Sequence, residues 1–145
     1  MLARIRALCR RYREQLLYLV FGGLTTAVDW GVCFVGYRAL AAQLDAYWFT
    51  VHIIDVVAWM AAVLFAFVTN RIWVFESRRH GLLPVLGELG AFAGGRVATL
   101  LMQEAIMAIF FTGLGWNEYA VKLAAAVLVV VLNYFISKLL VFRKK

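Results

Sequence analysis

The chain of 145 residues is poor in the residues that build covalent frameworks and catalytic centres. Cysteine occurs twice, at Cys9 and Cys33, too few for a disulfide framework, and both are expected to be free thiols. Histidine occurs only at His52 and His80, and no group of His, Cys, Asp and Glu has the spacing of a metal site. There is no nucleophile–base pair, no catalytic loop and no P-loop. These gaps argue against an enzyme, imply no cofactor and leave no place for ATP use. Long polar stretches are missing as well. Only about six to nine residues separate successive apolar runs, too few to fold alone.

What fills the chain instead is apolar. Hydrophobic residues make up 65% of it and its mean hydropathy is +0.84, whereas soluble domains are roughly half apolar. The apolar residues fall in four runs, 16–40, 49–75, 85–112 and 119–142. Each exceeds the roughly 20 residues that cross a hydrocarbon core. The expected fold is an all-α membrane protein: a four-helix transmembrane domain over 16–142, a basic segment over 1–15 and a basic tail over 143–145. A cleaved signal peptide is the rival reading of the start. The first run is longer than an h-region of about 7–15 residues and contains Asp29, so an uncleaved span is expected. Pro84, the only proline, fits the first turn of the third helix.

Charge suggests an orientation. The net charge is +7. Arg4, Arg6, Arg10, Arg11 and Arg13 precede span 1, Arg71, Arg78 and Arg79 lie between spans 2 and 3, and Lys138, Arg143, Lys144 and Lys145 close the chain. With four crossings these three regions share one face. The opposite face keeps Arg38 and Lys122, and Arg96 lies inside span 3. Basic loops stay in the cytoplasm, which gives N-in, C-in in the cytoplasmic membrane. Anionic lipids are the partners such a face attracts; nucleic acid is not expected. Tyr47, Trp48, Trp116 and Tyr119 flank the outer loops, and Tyr18 and Trp73 lie near the inner boundary. Trp30 and Trp59 are deeper, where packing is the expectation. The run G-L-G-W-N at 113–117 reads as a compact turn.

A short pattern occurs twice. F-V-T-N-R-I-W-V-F at 67–75 matches Y-F-I-S-K-L-L-V-F at 134–142: Asn70 with Ser137, Arg71 with Lys138, Val74-Phe75 with Val141-Phe142. Each half holds two crossings, so the halves would share one orientation, as two parallel two-helix repeats. The run L-V-F-G-G-L-T-T-A-V-D early in span 1, F-V-T-N-R-I-W-V-F ending span 2 and N-Y-F-I-S-K-L-L-V-F ending span 4 together resemble the GtrA-like family over 16–142. The resemblance implies a small four-span protein of cell-surface polysaccharide pathways that moves polyprenyl-phosphate-linked sugars across the membrane. Two departures stand out. The family's Asn four residues before the Asn-Arg pair is Ala66 here. In the second half Asn133 is kept, but Ser137, Lys138 and Leu140 replace the usual residues.

Each span carries a polar or small stripe at helical spacing. Span 1 has Gly22, Thr26, Asp29, Cys33 and Gly36. Span 2 has His52, Asp55, Trp59, Ala62, Ala66 and Thr69, with Asn70 adjoining. Span 3 has Phe92, Gly95 or Arg96, Thr99 and Gln103, and span 4 has Lys122, Ala126, Val129, Asn133 and Ser137. Close helix packing is the expected role of Gly22, Gly23, Thr26, Gly94, Gly95 and Ala126. A charge at mid-depth costs about 2.5–3.5 kcal/mol on insertion scales and must face protein or water. Asp29 and Arg96 fall at similar depth. They form either a structural ion pair or a substrate site in which Arg96 receives a phosphate through its planar donors. Arg71 and Lys138 are expected as snorkelling anchors, with Phe75 and Phe142 at the interface, or as cations that attract phosphate at loading. Asn70 and Asn133 extend the polar seam. Asp55 and Glu104 would accept hydrogen bonds from sugar hydroxyls or carry a coupling proton, or Glu104 would simply face Lys122. Glu118 and Lys122 are spaced to pair along span 4. Two other functions stay open: an adaptor that recruits a membrane glycosyltransferase, and a small proton-coupled exporter using Asp29. Four spans enclose little volume, which puts a homodimer among the expectations.

Overall fold

A computed structural model describes residues 11–40, 47–78 and 80–142, with side chains from Thr50 onward in the second helix. Arg4, Arg6, Cys9, Arg10, Arg79, Arg143, Lys144, Lys145 and the side chains of Tyr47 and Trp48 lie outside the described residues. Among the described residues four long helices carry the fold. They are α1 (Arg13–Leu40), α2 (Tyr47–Thr69), α3 (Leu82–Ile106) and α4 (Glu118–Ile136). The last three run on into π-helical turns: π1 (Asn70–Val74), π2 (Met107–Gly113) and π3 (Ser137–Val141). Counted with these turns, the apolar stretches Arg13–Leu40, Thr50–Val74, Leu82–Gly113 and Glu118–Val141 measure 28, 25, 32 and 24 residues. Even the shortest reaches about 36 Å at 1.5 Å per residue, enough to cross a bilayer core of about 30 Å.

The chain divides into two compact units, Met1–Glu76 and Ser77–Lys145. Each is a helical hairpin with a loop end and an open end. In the first, α1 packs along α2. At its open end Arg13 Nη1 meets Glu76 Oε1 at 2.9 Å, and Glu76 itself stands at φ 48°, which stops the helix in a left-handed residue. One step inward the Tyr18 and Phe75 rings lie 6.2 Å apart, and Phe21 stacks on Trp73 at 5.5 Å. Near the loop end Gly36 faces Ile54 so closely that a Cβ on the glycine would come within 2.8 Å of Ile54 Cγ2.

The second hairpin follows the same plan. Pro84 occupies the first turn of α3 behind the N-cap Gly81, where its absent N–H leaves no helical bond unmade. Phe92 and Phe142 pair at 5.9 Å. A Cβ on Gly95 would meet Ile136 Cγ2 at 2.8 Å. The loop end is the compact turn expected at 113–117: Gly115 sits at φ +66°, Phe110 packs on Trp116 at 5.0 Å, and the Asn117 side chain caps α4 by accepting from Ala120 N at 3.1 Å.

Several packing expectations change. The close approaches are at Gly36 and Gly95, whereas Gly22, Gly23 and Gly94 have open space where a Cβ would go, and Thr26 and Ala126 are exposed. The hydroxyl of Thr26 donates to Gly22 O, so its own helix satisfies it. Trp30 is 72% exposed; its outward apolar ring suits lipid, the solvent for most of this surface. Phe75 and Phe142 are buried within their units, each against the ring one helix away.

Candidate functional site

The repeated pattern acquires a local structure in each unit. Its polar residue opens a π turn: Phe75 N bonds to Asn70 O and Phe142 N to Ser137 O, both at 2.8 Å. One residue more than an α-turn requires is accommodated there, a feature frequent at functional positions. The widened turn faces the polar residue inward, and Asn70 and Ser137 are both buried. Asn70 Oδ1 has no hydrogen-bond partner among the described residues. The neighbouring cations, Arg71 and Lys138, are half-buried rather than fully extended into solvent. Lys138 Nζ donates to Tyr134 Oη at 3.0 Å and lies 5.3 Å from the centre of that ring, one helical turn back.

Within unit 1 the stripes on α1 and α2 face each other. Asp29 and Cys33 are one turn apart on α1, and Asp55 and Trp59 one turn apart on α2. With Val56 they line a cleft of about 330 Å³. The Tyr37 hydroxyl donates to Asp55 Oδ1 at 2.5 Å, and Cys33 Sγ approaches the same oxygen at 3.8 Å. Asp55 Oδ2 receives no donor among the described residues, and within unit 1 Asp29 has neither hydrogen bond nor ion pair. Spacing alone leaves Asp55 by itself, whereas the structure brings it to one cleft with Asp29. The hairpin register that joins Asp29 to Asp55 was readable by counting back from the loop on both sides, where Gly36 meets Ile54.

Within unit 2 the polar positions separate into two kinds. Asn133 is buried and accepts from Thr99 Oγ1 at 3.0 Å, and that same hydroxyl lies 3.1 Å from Gly95 O. Asn133 thus joins α3 to α4. The matching threonine of unit 1, Thr25, keeps only the bond to its own helix, to Phe21 O at 2.8 Å, because the position matching Asn133 is Ala66. Arg96 is half-buried with its guanidinium 5.2 Å from the Phe92 ring centre. It makes no ion pair among the described residues of unit 2. Glu104 is exposed, as are Glu118 and Lys122, and neither acid pairs with Lys122. Lys122 stands as many residues before Phe142 as Asp55 does before Phe75. Asp29 and Arg96 belong to different units.

One residue escaped the sequence reading. Glu88 is 2% exposed and accepts from Ser77 Oγ at 2.7 Å. The signal was available, since an acid inside an apolar run is functional by default. Among the described residues no cluster of three His, Cys, Asp or Glu could hold a metal ion.

Comparison with known proteins agrees with this architecture. A family model described as the GtrA/DPMS transmembrane domain matches residues 17–142. The cell wall teichoic acid glycosylation protein GtcA of Listeria innocua is 33% identical over 128 residues, 88% of this chain and 83% of its own length. GtcA of Listeria monocytogenes is 30% identical over 137 residues, 90% of this chain and 85% of its own. The membrane protein YwcD of Bacillus subtilis is 33% identical over 88% of this chain and 95% of its own. No solved structure matches. With its four apolar helices inside the matched region, the chain is a multi-pass membrane protein and belongs to the GtrA/DPMS transmembrane-domain family.

Proposed function

We propose that the protein moves a polyprenyl-phosphate-linked monosaccharide across the cytoplasmic membrane, to supply the glycosylation of a cell-surface polymer. The observation that carries the reading is the set of ionisable side chains held inside apolar helices, Asp29 and Asp55 in unit 1 and Arg96 in unit 2, within a family whose relatives include teichoic acid glycosylation proteins. Such a lipid keeps its tail in the bilayer while its phosphate and hydroxyls cross the core. Their lost hydration must be replaced by fixed polar partners. Arg96 supplies planar donors for the phosphate, with its guanidinium carbon 5.2 Å from the Phe92 ring centre. Arg71 and Lys138, on a cytoplasmic face, draw the phosphate in, and the buried amide of Asn70 lies beside the first of them. The carboxylate of Glu104 is reached on the way out. Movement follows the concentration gradient set by consumption outside.

The test is transbilayer movement of a polyprenyl-phosphate hexose in liposomes containing the purified protein. The expected result is movement well above that in empty vesicles and a loss of at least tenfold in Arg96→Ala, about 1.4 kcal/mol of barrier. Movement no faster than in empty vesicles would sink the translocation reading. Wild-type speed in Arg96→Ala would remove Arg96 from the site.

A further inference from the structure

We infer that the α1–α2 cleft of unit 1 is the seat of the sugar, and that it selects a neutral hexose over a uronic acid. The inference rests on the translocation reading and adds the part of the substrate that each wall of the cleft touches.

The cleft joins three kinds of surface that a hexose needs. Asp29 and Asp55 offer carboxylate oxygens, of which Asp55 Oδ2 and both oxygens of Asp29 take no donor within unit 1. Hydroxyls of a sugar are donors, and bonds to an ionised acceptor are about twice as strong as neutral ones. Trp59 is 37% exposed and lines the same cleft, so its ring offers a flat apolar wall for the C–H face of a pyranose. Val56 continues that wall. Tyr37 already holds Asp55 Oδ1 and so aims the free oxygen. The volume of about 330 Å³ lies at the lower end of small-molecule sites, about 300–1,000 Å³, which is room for one monosaccharide.

Polarity argues against a lipid tail as the occupant. An acyl or prenyl chain would leave two carboxylates without partners in a medium where a charge costs about 2.5–3.5 kcal/mol. Charge argues against a uronic acid, whose carboxylate would meet two others. A neutral hexose satisfies the acids and adds no charge.

The test separates binding from movement. The probe is a short-chain prenyl-phosphate hexose, titrated against the purified protein in detergent micelles beside the same prenyl phosphate without sugar and the corresponding hexuronate. The wild type is expected to prefer the hexose over both by about tenfold. Trp59→Ala and Asp55→Asn should abolish that preference while binding the sugar-free lipid as the wild type does, and Trp59→Phe should restore most of it. Equal preference in the variants and the wild type, or no preference in the wild type, overturns the inference. If the preference resides in the cleft and vesicles still show no movement, the translocation reading fails and the sugar seat stands.

Discussion

Thr99 and Thr25 are the same residue in the same register with different company. Both hydroxyls lie within hydrogen-bond distance of a backbone carbonyl one turn back, but only that of Thr99 also meets a side chain across the hairpin, Asn133. Interhelical side-chain bonds in membrane proteins average about 0.6 kcal/mol and reach about 1.7. Burial of both Thr99 and Asn133 places this one toward the upper end. Thr99→Val should therefore lower stability by about 1–1.5 kcal/mol, and Thr25→Val by only a few tenths, in reversible unfolding from mixed micelles. A double-mutant cycle of Thr99→Val with Asn133→Ala should recover most of the difference as coupling. Asn133 was legible in the sequence as a polar residue in an apolar helix. Its role was not, because a substrate ligand and a hydrogen-bonded tie present the same letter at the same spacing. Glu88 shows the converse: its burial depends on a hydroxyl just before the helix, at Ser77, which no helical periodicity includes.

Among elements, the glycines divide by what stands opposite. A methyl at Gly95 or Gly36 would press on the branched carbon of Ile136 or Ile54, and a β-branched side chain has little freedom to yield. Gly95→Ala and Gly36→Ala should each cost about 1–3 kcal/mol. Gly94→Ala meets nothing and should be neutral or stabilising by up to about 1 kcal/mol through helix propensity. Thermal unfolding of the three variants side by side decides this, and a loss at Gly94 equal to that at Gly95 would contradict the register of α3 against α4. The ring pairs that close each hairpin give a second test. Phe→Ala in a water-soluble core costs about 3–5 kcal/mol, but lipid tails are as apolar as the ring, so packing alone is lost. Phe75→Ala and Phe142→Ala should each cost about 2 kcal/mol by the same measurement. Helix extents were largely legible, since hydropathy and length leave little choice. The π turns were not. They add a residue without changing composition, so nothing in the repeated V-F pattern showed that its phenylalanines are buried.

For the molecule as a whole, the four spans follow from composition, and so does the expectation that both ends of the chain share one face. The distribution of Lys and Arg makes the cytoplasm the expected side of that face. A reporter active only in the cytoplasm, fused after Lys145, should be active, and a periplasm-dependent phosphatase at the same point should be silent; the reverse pattern would overturn N-in, C-in. The cleft was half legible. Stripe spacing put Asp29 with Cys33 and Asp55 with Trp59, but which stripes meet depends on where the hairpin turns.

Asp55 and Lys122 hold the same station in their hairpins and carry opposite charge. Two identical hairpins related by a rotation would present one charge twice and would suit only a ligand with two like ends. A single chain that holds both hairpins is released from that symmetry. Each half can then carry its own charge at the same station, an acid in one hairpin and a base in the other.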